Sequence, residues 1–305
     1  MSTFVVTGAA GFIGSHLAEQ LLAQGHDVRC VDCFTEYYDP ALKHENAAAL
    51  DVLELDLAAA DLDLDNVDCV FHLAGQPGTR SFGPIFEDYL RRNTLATQRV
   101  FETAAGAGVR VVYASSSSIY GDAETYPTTE ATSPSPNSPY GITKLACEHL
   151  AAAYGRSFGL DAIGLRYFTV YGPRQRPDMA FARIVDALVS GSPFELFGDG
   201  GQSRSFTFVG DVVEATIAAA AADAGSLYNV GGGAESTMRA SIELAEQISG
   251  RKLDLRPGPP ARGDMLRTKA DTSAIARDLG WHATTSLEDG LRAQWEWAIA
   301  RVAAP

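Results

Sequence analysis

The chain has 305 residues, of which 46% are hydrophobic and 20% charged, and its formal net charge is −14 at pH 7. This composition is typical of a globular protein and argues against disorder. The acidic excess disfavours an extended nucleic-acid surface, because such a surface needs many cations to neutralise phosphates. A small anionic ligand is still compatible with it, since that ligand needs only local cations or helix N-termini.

The first residues, MSTFVVTG, lead directly into a short apolar strand, without the basic region and cleavage site of a secretory signal. No apolar run approaches the roughly 18 residues that span a bilayer. We therefore expect a cytoplasmic protein without a membrane segment. Among the four cysteines, Cys30 and Cys33 have C-x-x-C spacing but no second pair follows, so we interpret them as small buried side chains and predict no metal site.

Short β-branched runs alternate with helical patterns over the first 170 residues. The runs are TFVVTG, HDVRCVD, DVLELD, VDCVFHLA, VRVVYASS and DAIGLRYFTVYG, and the helices include GSHLAEQLLAQG and YLRRNTLATQRVFETAAGAG. This alternation predicts an α/β fold with a doubly wound parallel sheet of the Rossmann type, which binds ligands at the carboxyl ends of its strands.

The pattern changes after residue 171, where polar loops rich in Gly and Pro surround shorter elements. Helices are expected near Val212–Ala222, Ser236–Ser249 and Leu287–Val302. We predict a Rossmann domain over residues 1–170 and a smaller substrate-binding lobe over residues 171–305, with some segments of the second part returning to the first.

Three glycines, Gly8, Gly11 and Gly14, follow the first predicted strand and open the first helix. Glycines at this turn let the backbone approach a pyrophosphate, and the helix N-terminus offers N–H groups to the phosphates. Asp32 ends the next strand 18 residues after Gly14, where a carboxylate would bind an adenosine ribose and repel a 2′-phosphate. The sequence therefore predicts NAD rather than NADP as the cofactor.

A tyrosine and a lysine lie one helical turn apart in SPYGITKLACEHL, so Tyr140 and Lys144 should leave the same helix face. The stretch SSSSIYG follows the fifth predicted strand and places Ser116 at the same sheet edge as the glycines. Further cofactor contacts are predicted at Phe12, Ile13, Asp56, Leu57, Leu73, Ala74, Gly75, Asn93 and Tyr167, in addition to Tyr140 and Lys144.

The motifs TGAAGFIG, HLAGQ, YASSSSIYG, YGITK, LRYFTVYGP and RSFTFVGD together resemble an extended short-chain dehydrogenase/reductase of the NAD-dependent sugar-nucleotide epimerase/dehydratase type. The resemblance covers essentially the whole chain. It implies that Tyr140 is the catalytic base, Lys144 its electrostatic partner, and Ser116 a hydroxyl that hydrogen-bonds the substrate oxygen.

The physical chemistry of a phenol agrees with these roles. A free phenol has a pKa of about 10, which is roughly 3 units too high for work at neutral pH, a deficit of about 4 kcal/mol. A cation about 4 Å away, at an effective dielectric constant near 20, supplies about 4 kcal/mol. Lys144 and the positive nicotinamide are each expected to contribute that order of energy.

Epimerisation, dehydration and decarboxylation share this type of site, and each begins with oxidation at C4 of the sugar. The family's 4,6-dehydratases resemble T-D-E-V-Y-G at the serine stretch, and its UDP-glucuronate decarboxylases resemble T-S-E-V-Y-G. This chain has Ser117 and Ser118 there, without a carboxylate, which disfavours dehydration. The resemblance favours a 4-epimerase, in which a transient 4-keto sugar takes the hydride back on its other face.

The substrate is suggested by RYFTVYGPRQRPDMAF and EYYDPALK, which look most like UDP-glucuronate 4-epimerases and imply UDP-galacturonate as product. Thr169 stands where UDP-glucose 4-epimerases typically have Asn. The short donors Ser117, Ser118 and Thr169 suit a substrate carboxylate, and Arg176 is expected to add charge. Two later loops resemble nucleotide-recognition segments, which implies Arg204 and Arg262 as diphosphate ligands, Leu196 and Phe197 beside the uracil, and Asp264 near a ribose.

Several alternatives stay open at this point. A UDP-glucose 4-epimerase is the second interpretation, a UDP-glucuronate decarboxylase the third, and dTDP is not distinguished from UDP. A non-catalytic NAD-sensing regulator is disfavoured, because such proteins commonly lose the tyrosine or the lysine. The resemblance also implies a homodimer formed through helices at Ile85–Ala105 and Pro139–Phe158.

Overall fold

A parallel sheet of seven strands forms the centre of the computed structural model, which describes residues 1–79, 81–233, 235–259 and 266–303. The strands are β1 (Thr3–Thr7), β2 (Asp27–Asp32), β3 (Val52–Glu54), β4 (Cys69–His72), β5 (Arg110–Ser116), β6 (Ala162–Tyr167), β7 (Thr169–Tyr171), β8 (Phe194–Phe197), β9 (Ser203–Phe208), β10 (Leu227–Val230), β11 (Glu235–Thr237), β12 (Leu255–Gly258) and β13 (Arg267–Thr268). The central sheet has the order β10–β6–β5–β4–β1–β2–β3 with every pair parallel, which confirms the predicted α/β fold of the Rossmann type.

The α-helices are α1 (Phe12–Ala23), α2 (Pro40–Asn46), α3 (Phe86–Tyr89), α4 (Ala96–Ala107), α5 (Pro139–Phe158), α6 (Ala180–Ser190), α7 (Val209–Ala218), α8 (Met238–Ser249), α9 (Ser273–Leu279) and α10 (Leu287–Ala303). They pack either on the two faces of this sheet or, as α6, α8 and α10 do, in the smaller lobe described below. A π-helical segment, Leu90–Leu95, joins α3 to α4. Within the described ranges, each helix is too short or too polar to cross a bilayer.

Two apolar clusters form the core, one on each face of the sheet. Val5 of β1 belongs to one cluster and Val6 to the other, because successive side chains of a strand point to opposite faces. Phe71 of β4 is fully buried beside Val6. Burial of each such side chain contributes about 1.5–3 kcal/mol, which explains why the central strands are continuously apolar.

The second half of the chain builds a smaller lobe with its own sheets. β9 pairs with β7, β11 and β13, and β8 pairs with β12. A third apolar cluster, which includes Tyr171, Phe181 and Phe206, packs this lobe together. However, β10 returns to the central sheet and α7 packs on α1. Because of these contacts, we propose that the predicted boundary near residue 170 separates the two units only in part.

Some predicted elements differ from the observed ones. The predicted strand DAIGLRYFTVYG divides at Phe168, whose N–H bonds to the Val230 carbonyl, and β7 then leaves the central sheet to pair with β9. The helix expected from Ser236 begins at Met238, because the residues before it form β11. The predicted helix at Val212 begins earlier, at Val209. The sequence analysis did not predict α2, α6 or α9, nor any of the strands from β8 to β13.

His72, at the end of β4, is buried between two threonines. Its Nδ1 lies 2.8 Å from Thr7 Oγ1 and its Nε2 lies 2.9 Å from Thr97 Oγ1. Burial, with a smaller contribution from the charge of Lys144, lowers the pKa of His72 to about 3. Since Thr7 Oγ1 also accepts a hydrogen bond from the Ala74 N–H, the neutral ring helps to anchor the loop that follows β4.

A pH dependence of stability follows from this burial. Between a pKa of about 6.5 in the unfolded chain and about 3 in the folded chain, only the unfolded state binds the His72 proton, so stability falls as pH falls through this window. From pH 6 to pH 5, we expect the free energy of unfolding to fall by about 1 kcal/mol more in the wild type than in a His72→Gln variant. Urea unfolding at each pH measures this difference.

The control for this experiment is the interval from pH 7.5 to pH 8.5. There both states leave His72 neutral, and the two proteins should show the same change in the free energy of unfolding. Equal changes between pH 6 and pH 5 as well would show that His72 is not held neutral by the fold.

Candidate functional site

One continuous cleft of about 620 Å³ runs along the carboxyl edge of the central sheet and into the smaller lobe. It brings together the predicted site residues Gly8, Gly11, Phe12, Ile13, Gly14, Asp32, Asp56, Leu57, Leu73, Ala74, Gly75, Ser116, Ser117, Ser118, Tyr140, Lys144, Tyr167, Thr169, Arg176, Leu196, Phe197 and Arg204. Two predicted contacts, Arg262 and Asp264, lie outside the described residues. Residues far apart in sequence therefore share one cavity with a glycine-rich end and an arginine-containing end.

The glycine turn between β1 and α1 is packed against itself. Gly8 has a φ of +72°, and a Cβ there would lie 2.8 Å from the Ala74 nitrogen. A Cβ on Gly14 would lie 2.1 Å from the Gly8 carbonyl oxygen. Because residues 8–11 carry nothing larger than the methyl groups of two alanines, the first N–H groups of α1, which have no intrahelical acceptor, stay accessible to an anion.

Asp32 presents its carboxylate to the cleft at the end of β2. Its Oδ2 accepts a hydrogen bond from the Ala10 N–H at 3.1 Å, and its Oδ1 accepts one from the Phe34 N–H at 2.8 Å. These two donors fix the carboxylate, and each oxygen retains a lone pair for a hydroxyl of a ligand. The glycine turn and Asp32 together fit the diphosphate and ribose of a dinucleotide.

Asp56, after β3, is less available than the sequence suggested. Its Oδ2 accepts a hydrogen bond from Arg91 at 2.6 Å, and its Oδ1 accepts one from the Ala58 N–H at 2.9 Å. Partial burial alone would raise the pKa of Asp56, but Arg91 and the Ala58 N–H outweigh it and lower that pKa. The side chain lines the cleft as an ionised, already paired carboxylate.

Asn93, one of the predicted cofactor contacts, does not line the cleft. The residue is fully buried; its Oδ1 accepts a hydrogen bond from the Gln76 N–H at 2.7 Å. Its Nδ2 donates to the Gln76 carbonyl and to Thr143 Oγ1, each at 3.1 Å. Asn93 therefore ties the loop after β4 to helix α5.

The serine stretch forms a tight turn at the end of β5. Ser116 Oγ accepts a hydrogen bond from the Ser118 N–H and donates one to Ser118 Oγ, both at 3.1 Å. Residues Ser117–Ile119 continue as a 3₁₀ turn, and Ser117 faces the cleft. The turn gathers short hydroxyl groups at one point of the cleft wall.

Helix α5 begins beside this turn and carries the predicted base. Lys144 is almost fully buried; its Nζ donates to the Ala114 carbonyl at 2.8 Å and lies 6.0 Å from the centre of the Tyr140 ring. A Cβ on Gly75 would lie 3.4 Å from the same Nζ. The ammonium thus sits between the end of β5, the loop after β4 and the tyrosine. A phenol, a cation and the hydroxyl of Ser116 line the same part of the cleft.

Arg176 lies in the loop between β7 and α6, and the sequence analysis missed its partner. Asp178 accepts two hydrogen bonds from its guanidinium, Nε to Oδ1 and Nη2 to Oδ2, both at 3.0 Å. Burial by itself would lower the pKa of Arg176, but Asp178, with smaller effects of Tyr37 and Tyr140, raises it. The positive charge expected from Arg176 is therefore largely neutralised in the folded protein.

The sequence analysis also missed other residues that line the cleft. They come from separate segments of the chain, so no single sequence motif marks them. They include Tyr37, Tyr38, Lys43, Gln76, Arg92, Arg183, Glu195, Gln202, Phe206 and Met238. Over the described ranges the cleft has six cationic side chains (Lys43, Arg92, Lys144, Arg176, Arg183, Arg204) and four acidic ones (Asp32, Asp56, Asp178, Glu195), a balance of +2. The local balance is opposite to the charge of the chain and suits an anionic ligand.

Two of the four cysteines lie at or near the edge of this site and form no disulfide bond. Cys30 is buried in β2 and Cys33 is half-buried just beyond it, and both are free thiols. Burial, with a smaller effect of Asp51, raises the pKa of Cys30 to about 11, so its thiol is protonated. In the part of the chain that the structure describes, no group of three or more His, Cys, Asp or Glu residues is placed to hold a metal ion.

The fold and the site together define a class of protein. A parallel Rossmann sheet carries a glycine-rich turn and an acidic residue for a dinucleotide, and a tyrosine–lysine pair and a serine line the same cleft. This combination is that of a dinucleotide-dependent enzyme which moves a proton and a hydride at an alcohol carbon.

Comparison with known proteins identifies the family. Residues 4–231 match the NAD dependent epimerase/dehydratase family, and the chain belongs to it. A Bacillus subtilis (strain 168) protein described as an uncharacterized UDP-glucose epimerase, YtcB, is 42% identical over 300 residues, which are 94% of this chain and 95% of that protein. The family and the cofactor, NAD, predicted from the sequence are thereby confirmed.

Solved structures agree with this assignment. The UDP-glucuronic acid 4-epimerase from Bacillus cereus, in complex with UDP-glucuronic acid and NAD, has a TM-score of 0.94 and 36% identity, covering 98% of this chain and 99% of that one. MoeE5 in complex with UDP-glucuronic acid and NAD has a TM-score of 0.89 and 41% identity, covering 98% and 100%.

A Gly14→Ala substitution tests the proposed NAD site. The added methyl group would lie 2.1 Å from the Gly8 carbonyl oxygen and would push α1 away from the turn. Overpacking of this kind costs about 1–3 kcal/mol, so we expect the affinity for NAD to fall roughly tenfold or more. Calorimetric titration of nucleotide-free protein with NAD measures the change.

The matched control is Gly106→Ala in α4. A Cβ there meets nothing within 4 Å, so this variant should bind NAD as the wild type does. An affinity of Gly14→Ala equal to that of the wild type would contradict the role given to the turn.

Proposed function

We propose that this protein is an NAD-dependent 4-epimerase that interconverts UDP-glucuronate and UDP-galacturonate. The observation that carries the proposal is the cluster of Tyr140, Lys144 and Ser116 at the NAD edge of the sheet, with hydroxyl groups at positions 117 and 118 instead of carboxylates. Without a carboxylate pair at these positions, elimination of water lacks its acid and base. Reversible oxidation at C4 needs no such pair, so an epimerase is favoured over a dehydratase.

The cofactor would be held by the backbone N–H groups at the start of α1 and by Asp32. When bound there, NAD would supply the acceptor for the hydride that leaves C4 of the sugar and later returns to it. Tyr140 takes the proton of the 4-hydroxyl and gives it back, and the ammonium of Lys144 stabilises the phenolate meanwhile. Ser116 hydrogen-bonds the reacting oxygen, and rotation of the keto sugar between the two half-reactions inverts C4.

A uronate substrate makes a further demand on the site. A 4-keto uronate is a β-keto acid and loses CO₂ readily, so an epimerase must keep its carboxylate close to the plane of the carbonyl group. Fixed short donors serve that purpose, and Ser117, Ser118 and Thr169 line the same cleft as Tyr140. The complexes of the Bacillus cereus 4-epimerase and of MoeE5 with UDP-glucuronic acid support this substrate.

The nucleotide is proposed to lie in the smaller lobe. Leu196 and Phe197 of β8 line the cleft beside Arg204 of β9, and Arg183 of α6 lies 5.5 Å from the centre of the Phe197 ring. We assign the apolar pair to the uracil and Arg204 to the diphosphate. A cytoplasmic location, in keeping with free cysteines, completes this part of the proposal.

The first test is to incubate the purified protein with UDP-glucuronate and, separately, with UDP-glucose. We expect UDP-galacturonate as the product by NMR, no net absorbance of NADH, and a rate on UDP-glucose at least tenfold lower, because a neutral sugar lacks the carboxylate that the donors hold. Comparable rates would indicate the second candidate, a UDP-glucose 4-epimerase, which the name of the Bacillus subtilis relative favours. UDP-pentose as the main product would indicate a decarboxylase.

A Tyr140→Phe substitution should lower kcat by about 100-fold or more, because general acid–base catalysis contributes that order of rate. The matched control is Tyr154→Phe on the same helix, whose hydroxyl accepts a hydrogen bond from Gln98 outside the cleft. That variant should keep the wild-type kcat. Undiminished conversion by Tyr140→Phe would contradict the assignment of the base.

We also propose a homodimer formed through α3, α4 and α5. Phe86, Leu90, Leu95 and Ile142 on these helices and the π-helical segment are each at least 40% exposed, an unusual density of apolar groups for a free surface. Leu90→Glu should shift the protein from dimer to monomer in sedimentation equilibrium. Leu22→Glu, at an equally exposed position on α1, should stay dimeric, and a monomeric wild type would contradict the proposal.

A further inference from the structure

The loop between β7 and α6 places two opposite charges side by side at the substrate end of the cleft. Its backbone is fixed by two turns, in which the Gln175 N–H bonds to the Gly172 carbonyl at 3.2 Å and the Met179 N–H bonds to the Arg176 carbonyl at 3.0 Å. The second turn brings Arg176 and Asp178 to the same side of the loop. Both side chains line the cleft that also contains Tyr140 and Thr169.

The contact between the two side chains is a complete fork. Asp178 accepts from Nε and from Nη2 of Arg176 at 3.0 Å, and the two side chains keep 21% and 39% of their surface exposed. Tyr37 donates a longer hydrogen bond, 3.5 Å, to Asp178 Oδ2. A pair with this geometry holds the guanidinium in one orientation and has no net charge.

The opposite edge of the guanidinium is left for another acceptor. An arginine has five N–H donors, and the fork with Asp178 uses two of them. A substrate carboxylate can therefore still bind Arg176, but it does so beside the negative charge of Asp178. A neutral hydroxymethyl group suffers no such repulsion, so the pair reduces the advantage that a uronate would have over a neutral sugar.

We propose that Asp178 is a specificity-determining residue that acts through Arg176 by setting the net charge presented to the C5 substituent of the sugar. This inference rests on the proposed function, since it concerns the choice between a uronate and a neutral hexose at the same site. With Asp178 in place, the site prefers the uronate less strongly than an unpaired arginine would. Without that charge, Arg176 would favour the uronate more strongly.

Asp178→Asn tests the inference, because it removes the charge and keeps the shape and one acceptor oxygen. We expect the ratio of kcat/KM for UDP-glucuronate to kcat/KM for UDP-glucose to rise roughly tenfold. The reason is that the variant removes a negative charge a few ångströms from the substrate carboxylate, where the effective dielectric constant is intermediate. The change should come from a lower KM for UDP-glucuronate, with kcat little altered. Raising the ionic strength should reduce the gain.

Two further variants give the experiment its controls. Asp178→Glu keeps the negative charge at this position, so its ratio should stay close to that of the wild type. Asp254→Asn breaks a similar fork, in which Asp254 accepts from Arg256 at 2.6–3.1 Å on an exposed surface outside the cleft. It changes the charge of the whole protein equally and should leave the ratio unchanged.

The outcomes separate this inference from the proposed function. An unchanged or lowered ratio in Asp178→Asn would overturn the inference, and so would an equal loss of activity on both sugars, which would mean that Asp178 only holds the loop in place. If the wild type does not convert UDP-glucuronate at all, the proposed function itself fails. A wild type that converts it, with a variant that keeps the same ratio, leaves the function intact and removes only the role of Asp178.

Discussion

The carboxylate of Glu148 is buried on α5, one turn beyond Lys144, and the geometry of the site depends on how it is held. Arg166 of β6 donates two hydrogen bonds to it, at 2.9 and 2.8 Å, and Ser115 of β5 donates a third at 2.5 Å. A buried charge left without its partner costs about 3–5 kcal/mol, so α5 has little freedom to rotate against the sheet. These bonds fix the helix to two strands at once, and so hold Tyr140 of α5 and Ser116 of β5 in the same cleft.

The cations of the site are similarly restrained before any ligand arrives. Lys43 donates to the carbonyl and the hydroxyl of Thr35, each at 2.7 Å, and Lys144 donates to a backbone carbonyl. Arg176 is paired with Asp178. An acidic protein can bind a ligand with several negative charges in this way, because a few oriented cations in a cleft act at short range while the surface charge is screened by salt.

Much of the fold could be predicted from the sequence, because it is recorded in local patterns. Continuous apolar strands, helical periodicity and the glycine turn each depend on neighbouring residues, and they indicated the parallel sheet and its ligand edge. The break at Phe168 could not be predicted in this way, since both sides of it are equally apolar. β10 was missed for a related reason: four residues, Leu227–Val230, give little periodicity until β6 is beside them.

At the site, the sequence by itself determined the chemical groups: the glycines, Asp32, the serine stretch and the pair Tyr140–Lys144, whose spacing of one helical turn places them on one face. Only the tertiary structure decided which charges remain available. It buried Asn93 under the cleft and paired Arg176 with Asp178. The physical reason is that the reach of a side chain and the neutralisation of its charge depend on distances across loops, and these distances are set by packing rather than by the order of residues along the chain.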